Sequence, residues 1–427
     1  MNMGTAGVGP EAAGSAWSNV GFLNRAGLWK MVLGNILLTT VTLGIYRFWA
    51  RTRIRRYFWS NITILGEPLE YSGTGRELFV GFLIVVAVLA PLAVAYYVLQ
   101  RILLGNPVAI SILLLGYVAV LFVLIHFAVY RARRYRLTRT MWRGIRAGQT
   151  GSTWRYVGLA ALYTVMSVIT LGLASPWMEV GLERHKMNNT WFGNSRFRLE
   201  ASGSKLFLRM LVVYTLYLLP VVVIYAANWS WLVGHFLVAG NVRTGVGPGL
   251  PPHPEAFLLL LVMIFAGIPA VVWYGVAKFR YFANSTSLGE IRLKSEVTTG
   301  PVVGYLIGYV LSVIGLLILS GIIAFIVAGV VSPSSLADIS PQTDPLAAAA
   351  AFGPIYALVG VIVIVFYFPA RSLLFYCWLQ VSLVRHFATT MTIENAGEFS
   401  RLAQSTRQDP RFAEGLADAF DVGIGVG

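Results

Sequence analysis

Five arginines, each followed by a tyrosine or histidine, are the residues of this sequence whose type and spacing favour contact with an anion. An aromatic residue stands seven positions before each of them. Seven residues make two helical turns, so aromatic and arginine would share one helix face. Such pairs could bind a phosphate or lipid headgroup, or anchor a helix at a membrane edge. Repetition favours the anchoring role. The pairs are Arg56 with Trp49, Arg134 with Phe127, Arg184 with Trp177, Arg280 with Trp273 and Arg385 with Trp378.

The composition indicates a polytopic membrane protein. Of 427 residues, 57% are hydrophobic and 12% are charged, whereas soluble domains carry about 25% charged residues. Several apolar runs approach the roughly 20 residues that a membrane-crossing helix needs. Cys377 is the single cysteine, which argues against disulfides and cysteine-based zinc sites. We also predict no cofactor and no metal.

The net charge of +15 is concentrated in a few segments rather than spread along the chain. Short loops rich in Lys and Arg remain on the cytoplasmic side of a membrane, and they also attract anionic phospholipid headgroups. We therefore predict a multi-pass protein of the bacterial inner membrane with both termini cytoplasmic and no role in nucleic-acid binding. The basic segments, which hold 28 of the 33 Lys and Arg residues, are 47–76, 131–155, 177–205, 278–300 and 371–411.

The arginine positions predict internal repeats centred near residues 56, 134, 184, 280 and 385. Thr42-Leu43-Gly44 and Thr170-Leu171-Gly172 each lie fourteen residues before their arginine. Two-residue turns at Gly66-Glu67, Gly193-Asn194 and Gly289-Glu290, and Arg143-Gly144 in the second copy, favour short β-hairpins after the arginines. We assign 1–23 to a flexible N-terminus, 24–404 to a repeat-built membrane domain and 405–427 to a disordered tail.

The apolar segments predict an all-α membrane bundle that carries short cytosolic β-hairpins. If all eight segments crossed, the basic loops would fall on both sides of the membrane. Two of the segments, 31–46 and 156–174, are short and end near Thr-Leu-Gly, so we predict that they are re-entrant or interfacial. About six spanning helices remain, namely 78–99, 107–130, 206–227, 256–276, 301–331 and 354–376.

Few residues in the apolar segments favour chemistry. His126 is the candidate intramembrane polar site, although a histidine bonded to a neighbouring helix is the alternative. All 18 Asp and Glu can be placed in loops, tails or helix ends, which argues against an ion-driven pump with a buried carboxylate. No Ser-His-Asp set, paired carboxylates or HExxH motif occurs, and so we predict that the protein is not an enzyme.

The stretch TLGIYRFWARTRIRRYFWSNITILGEPLEYSGTGRELFVGF resembles the signature of the YjgN-like family of bacterial inner-membrane proteins, a domain of unknown function. The resemblance covers roughly residues 24–404 and is most specific around 42–80. It implies a membrane protein and assigns no catalytic or binding residue.

Two functions remain open from the sequence. Repeats are common in transporters, which bind substrate at the repeat interface, and this favours a transporter or channel-like protein for a small solute or lipid. The alternative is a non-transporting membrane scaffold that binds anionic lipid or partner proteins through its basic cytosolic face. We expect a polar cavity in the first case and a solid centre in the second.

Overall fold

Helical hairpins alternate along the chain with the strands that join them. The computed structural model describes residues 17–231, 252–331 and 363–404, and the single positions 233, 357, 360 and 361. The helices are α1 Leu28–Val41, α2 Arg47–Asn61, α3 Gly75–Ile102, α4 Pro107–Thr138, α5 Thr153–Ile169, α6 Ser175–Asn188, α7 Gly203–Ala227, α8 Pro254–Asn284, α9 Thr299–Val331 and α10 363–389.

All eleven strands of the described residues belong to one antiparallel sheet. Their order is β3-β2-β1-β11-β10-β9-β8-β7-β6-β5-β4. The end strands β3 and β4 are separated in the chain by Leu69 alone, so the sheet closes into a ring. The strands are β1 Trp17–Phe22, β2 Ile62–Ile64, β3 Glu67–Pro68, β4 Glu70–Tyr71, β5 Thr140–Trp142, β6 Ile145–Gln149, β7 Thr190–Phe192, β8 Ser195–Leu199, β9 Thr286–Leu288, β10 Ile291–Ser295 and β11 Met391–Glu394.

Strand β1 completes the ring. It pairs with β11 on one side, with Ser18 opposite Ile393, and with β2 on the other, with Gly21 opposite Thr63. Among the described strands none forms a β-hairpin with β11, and β1 takes that place. Residues 17–22 were assigned to the flexible segment 1–23, and the assignment is wrong for them. The predicted disordered tail 405–427 lies outside the described residues.

Each pair of consecutive helices leaves the ring and returns to it. One backbone hydrogen bond closes each of the five helical hairpins where its two ends meet the sheet, and the five bonds are alike in length. They join Leu23 N to Asn61 O (2.8 Å), Ser72 N to Arg139 O (2.9 Å), Thr150 N to Asn189 O (2.8 Å), Glu200 N to Ser285 O (2.9 Å) and Glu296 N to Thr390 O (2.9 Å). The hairpins are therefore α1–α2, α3–α4, α5–α6, α7–α8 and α9–α10.

Two-residue turns connect the strands of four β-hairpins. Leu65 and Gly66 have φ of 52° and 80°, and Arg143 and Gly144 have 51° and 71°. Two consecutive positive φ values define the type I′ turn, whose twist suits a hairpin. The first turn is therefore Leu65-Gly66, and the predicted Gly66-Glu67 was wrong by one residue because Glu67 already pairs with Ile64 in the sheet.

Apolar side chains fill the inside of the ring. A 3-10 helix, Ala396–Arg401, follows the last strand and packs Phe399 against Trp142, with ring centroids 4.9 Å apart. This core, which we call the ring core, blocks the centre of the sheet. Its buried members are Val20, Trp142, Ala147, Phe192, Leu288, Ile291, Ala388, Ile393 and Phe399.

The predicted all-α fold class is therefore wrong, because local hairpin signals could not show that the strands join into one closed sheet. Within the described residues, five helices rather than six are long and apolar enough to cross a membrane: α3, α4, α7, α8 and α9. The predicted sixth span, 354–376, lies partly outside the described residues.

The two short predicted segments, 31–46 and 156–174, each end in a tight reversal. Leu43 and Gly44 have φ of 50° and 91°, and Leu171 and Gly172 have the same two values. The chain turns back there into α2 or α6. Neither segment is among the five helices long enough to cross, and their entry into the bilayer stays a prediction.

Candidate functional site

The residue after each predicted arginine contacts the start of its own helical hairpin. The Tyr135 hydroxyl donates to Glu77 Oε2 at 2.6 Å near the start of α3. Ser202 N, just before α7, donates to the Tyr281 hydroxyl at 2.7 Å. His386 Nε2 lies 3.1 Å from Thr298 O, just before α9. The contacts of Tyr57 with Arg25 O and of His185 with Ser152 follow the same rule. These side chains hold the two helices of a hairpin together.

Three of the arginines contact the segment that leads into the next hairpin. Arg56 Nη2 donates to Gly73 O at 3.3 Å, and Arg184 Nη2 donates to Ala201 O. Arg385 lies over the ring of Phe22, 5.8 Å from its centroid. Arg134 has a buried Nε without a partner among the described residues, and Arg280 is exposed. The five arginines therefore lie apart around the ring and do not form one binding site.

Three of the predicted aromatic residues pack against glycines of a neighbouring helix, and two of these contacts join different hairpins. A Cβ added to Gly75 would lie 2.6 Å from Trp49, and one added to Gly203 would lie 2.7 Å from Trp177. Trp378 approaches Gly308 as closely, but these two residues belong to the same hairpin, α9–α10. Glycine at these helix positions is what permits the close approach. Trp273 is half-buried on α8.

His126 is half-buried on α4 and bonds within its own helix. Its Nδ1 lies 3.0 Å from Phe122 O, and the Phe122 ring centroid is 4.1 Å away. The hydrogen bond goes to the preceding turn of α4, and not to a neighbouring helix.

A cluster of charged side chains, which the sequence did not reveal, joins α4, α6 and α8. Glu183 on α6 pairs with Arg133 of α4 at 3.4 Å and with Lys186 of its own helix at 2.5 Å. Glu179, one turn earlier on α6, pairs with Lys278 of α8 at 3.1 Å. The placement of every acid in a loop, tail or helix end was thus wrong for these two. Their spacing of four residues on α6 was the available signal.

The cluster lines a cavity of about 570 Å³, which we call the charged cavity. Leu293 and Met391 line it from the sheet and also pack against the ring core, so the ring core forms its floor. Gly275 on α8 also lines the cavity. A Cβ added there would meet nothing within 4 Å, so the space beside this glycine is free. The polar lining side chains are Arg133, Tyr156, Glu179, Glu183, Lys186, Lys278 and Thr286.

The ion pairs keep the cavity charged. Burial alone would raise the pKa of the Glu183 carboxyl, but Lys186 and Arg133 outweigh burial and hold that pKa below its ordinary value. Burial also lowers the pKa of Lys186, which Glu183 opposes. The cavity thus holds three basic side chains, Arg133, Lys186 and Lys278, and two carboxylates, which are already paired. Its net charge is positive.

The closed sheet, its helical hairpins and the apolar helices define a helical membrane protein with a charged cavity above its sheet. The chain belongs to the family described as bacterial protein of unknown function (DUF898), which matches residues 24–419. This confirms the resemblance found in the sequence. Within the described residues no three His, Cys, Asp or Glu side chains gather as a metal site would require.

The curated relatives carry one name. Inner membrane protein YjgN of Salmonella typhimurium is 26% identical over 317 residues, which cover 65% of this chain and 77% of the relative. Inner membrane protein YjgN of Escherichia coli O157:H7 is 30% identical over 112 residues, 26% of each chain. No solved structure matches the chain. The chain is thus an inner membrane protein of unknown function, and its apolar helices fit integration into a membrane.

Proposed function

We propose that the protein is an inner-membrane transporter for a small anionic solute, and that the charged cavity binds this solute. One observation carries the proposal: Arg133, Lys186 and Lys278 converge from three helices on one cavity. Glu179 and Glu183 are already paired with basic side chains of the cluster. The net positive charge of the cavity can therefore attract an anion, and neither carboxylate is unpaired when no anion is bound. Neither a cofactor nor catalysis is part of the proposal.

The ring core limits the route that a solute could take through such a transporter. The charged cavity ends on Leu293 and Met391, and beneath them the sheet is filled by Trp142 and its neighbours. A solute therefore passes only if the ring core rearranges or if two hairpins separate. The same filled centre favours the second candidate, a non-transporting scaffold that binds anionic lipid or partner proteins.

We also propose that the sheet faces the cytosol. All five helical hairpins begin and end on it, and so the basic segments share one side. Single cysteines would test this in a Cys377→Ala background with an impermeant thiol reagent applied from outside. Asn106→Cys, in the connection of the hairpin α3–α4, should react, whereas Glu290→Cys, in an exposed turn of the sheet, should not. Labelling of Glu290→Cys would place the sheet on the outer side.

Filling the cavity separates the two candidates. Gly275→Leu places a side chain in the charged cavity, and Gly315→Leu places the same side chain at an exposed position of α9 where a Cβ meets nothing. Flux of a panel of small labelled anions would be measured in proteoliposomes. A transporter loses flux in the first variant and keeps it in the second. Flux no greater than in protein-free liposomes would support the scaffold, whereas equal flux in both variants would show that the charged cavity does not bind the solute.

A further inference from the structure

A second pocket lies between the first hairpin and α10, and none of its described lining residues belongs to the charged cavity. Its volume is about 420 Å³. Helix α1 contributes Asn35, Thr39 and Thr40, helix α2 contributes Arg47 and Arg51, and helix α10 contributes Ser372. We call it the Asn35 pocket.

The Asn35 amide is buried in this pocket without a partner. The residue is 3% exposed, and neither Nδ2 nor Oδ1 has a hydrogen-bond partner among the described residues. Buried side-chain amides are nearly always hydrogen-bonded, since burial removes their hydrogen bonds to water and an unpaired amide has nothing to replace them. An apolar residue would serve packing better at this site. The amide is explained by a ligand that both accepts from Nδ2 and donates to Oδ1.

Two arginines supply positive charge at the same pocket. Arg47 and Arg51 lie one helical turn apart on α2, and no Asp or Glu is among the described residues that line it. The Arg47 guanidinium lies 5.0 Å from the ring centroids of both Phe48 and Phe82, which restrain its position. Two guanidinium groups at one pocket suit the oxygens of a phosphate.

The hydroxyls of the pocket complete the pattern. Thr39 donates to Asn35 O at 2.6 Å, Thr40 to Ile36 O at 3.1 Å and Ser372 to Phe368 O at 2.8 Å. Each hydroxyl hydrogen is thus used within its own helix, and each oxygen still accepts. Such oxygens match the hydroxyl groups of a polyol.

We propose that the Asn35 pocket binds a phosphate ester that carries free hydroxyl groups. Arg47 and Arg51 contact the phosphate, and Asn35 with the neighbouring hydroxyl oxygens contacts the polyol. A phosphoglycerol lipid headgroup and a soluble polyol phosphate share this chemistry. The site is independent of the charged cavity and of transport.

Binding by the purified full-length protein tests the proposal. One arm adds glycerol 3-phosphate to protein in phosphatidylcholine nanodiscs, and the other uses nanodiscs with and without phosphatidylglycerol. The readout in both arms is the thermal unfolding midpoint. Asn35→Leu and Arg51→Gln should each weaken binding by about tenfold or more, the loss of one charged or buried hydrogen-bonding partner. Arg53→Gln, on the same helix but outside the pocket, should keep the wild-type response.

The outcomes distinguish the sources of the ligand. A shift by glycerol 3-phosphate that both pocket variants lose identifies a soluble ester, and a shift by phosphatidylglycerol alone identifies the lipid headgroup. Without ligand, Asn35→Leu should unfold no earlier than the wild type, because it removes an unpaired buried amide. If neither ligand shifts the wild type, or if the pocket variants respond as Arg53→Gln does, the proposal is wrong.

Discussion

The Tyr274 hydroxyl on α8 donates a hydrogen bond of 2.6 Å to Glu179 Oε2 on α6. Lys278, one turn further along α8, reaches the other oxygen of the same carboxylate at 3.1 Å. One carboxylate thus joins two neighbouring hairpins at the edge of the charged cavity.

Replacing this carboxylate should weaken the contact between the hairpins. Glu179→Gln keeps an acceptor for Tyr274 but removes the charge beside Lys278, and we expect a loss of about 1–2 kcal/mol for this partly buried pair. Glu200→Gln removes one partner of the exposed pair with Arg198 and should change stability by about 0–0.5 kcal/mol. Thermal unfolding in detergent would compare them. Equal stability of the two variants would mean that Glu179 does not hold α6 and α8 together.

His185 should make stability depend on pH. Burial and the nearby Arg155 lower its pKa below the ordinary value of 6.5, against the contact with Ser152. Between the lower folded pKa and 6.5 the unfolded chain binds more protons than the folded one, so stability falls as pH falls through this window. His185→Gln should flatten this part of the curve of unfolding midpoint against pH. An unchanged curve in the variant would assign the pH dependence to other groups.

Trp177 packs so closely against the start of α7 that a side chain added at Gly203 should lower the stability of the protein. In Gly203→Ala the new Cβ would lie 2.7 Å from the indole, and we expect a loss of about 1–3 kcal/mol from the forced shift. Gly300→Ala, at an exposed position in the first turn of α9 where a Cβ meets nothing, should be neutral or up to about 1 kcal/mol stabilising. Chemical unfolding would compare the free energies of unfolding of the two variants. Equal values would mean that Trp177 moves aside without cost.

Pairing of β1 with β11 can be captured covalently. Asn19 and Thr392 are directly opposite each other, and opposed residues of an antiparallel pair come within reach of a disulfide. In a Cys377→Ala background, Asn19→Cys with Thr392→Cys should form an intrachain disulfide under mild oxidation, seen as a mobility shift reversed by reductant. Asn19→Cys with Arg198→Cys, which belong to strands that are not paired, serves as the control. A shift in the control pair alone would contradict the strand order.

Local features of the fold were predictable from the sequence, and distant ones were not. The turns at Arg143-Gly144 and Gly193-Asn194 follow from glycine between alternating residues, and the reversals at Thr-Leu-Gly follow from short apolar segments. Ring closure depends on β1 meeting β11, which are separated by nearly the whole chain. No local pattern encodes that pairing, and the hydrophobic composition of the helices masked it.

The candidate sites divide in the same way. The arginine–aromatic spacing identified real helix ends, but neighbouring carbonyls and glycines already occupy several of those side chains. The charged cavity draws Arg133, Glu183 and Lys278 from three helices, and only tertiary structure brings them together. Asn35 is the single polar residue of the apolar run 31–38, and its significance depends on a burial that the sequence does not show.

The use of β1 as the partner of β11 sets an order for biosynthesis. When β1 and β2 have left the ribosome they can already pair, yet the other edge of β1 must wait until residues 391–394 are made. An unpaired strand edge readily recruits other chains. Every nascent molecule therefore carries one unpaired strand edge through almost all of its translation, and truncation before β11 would leave that edge unpaired permanently.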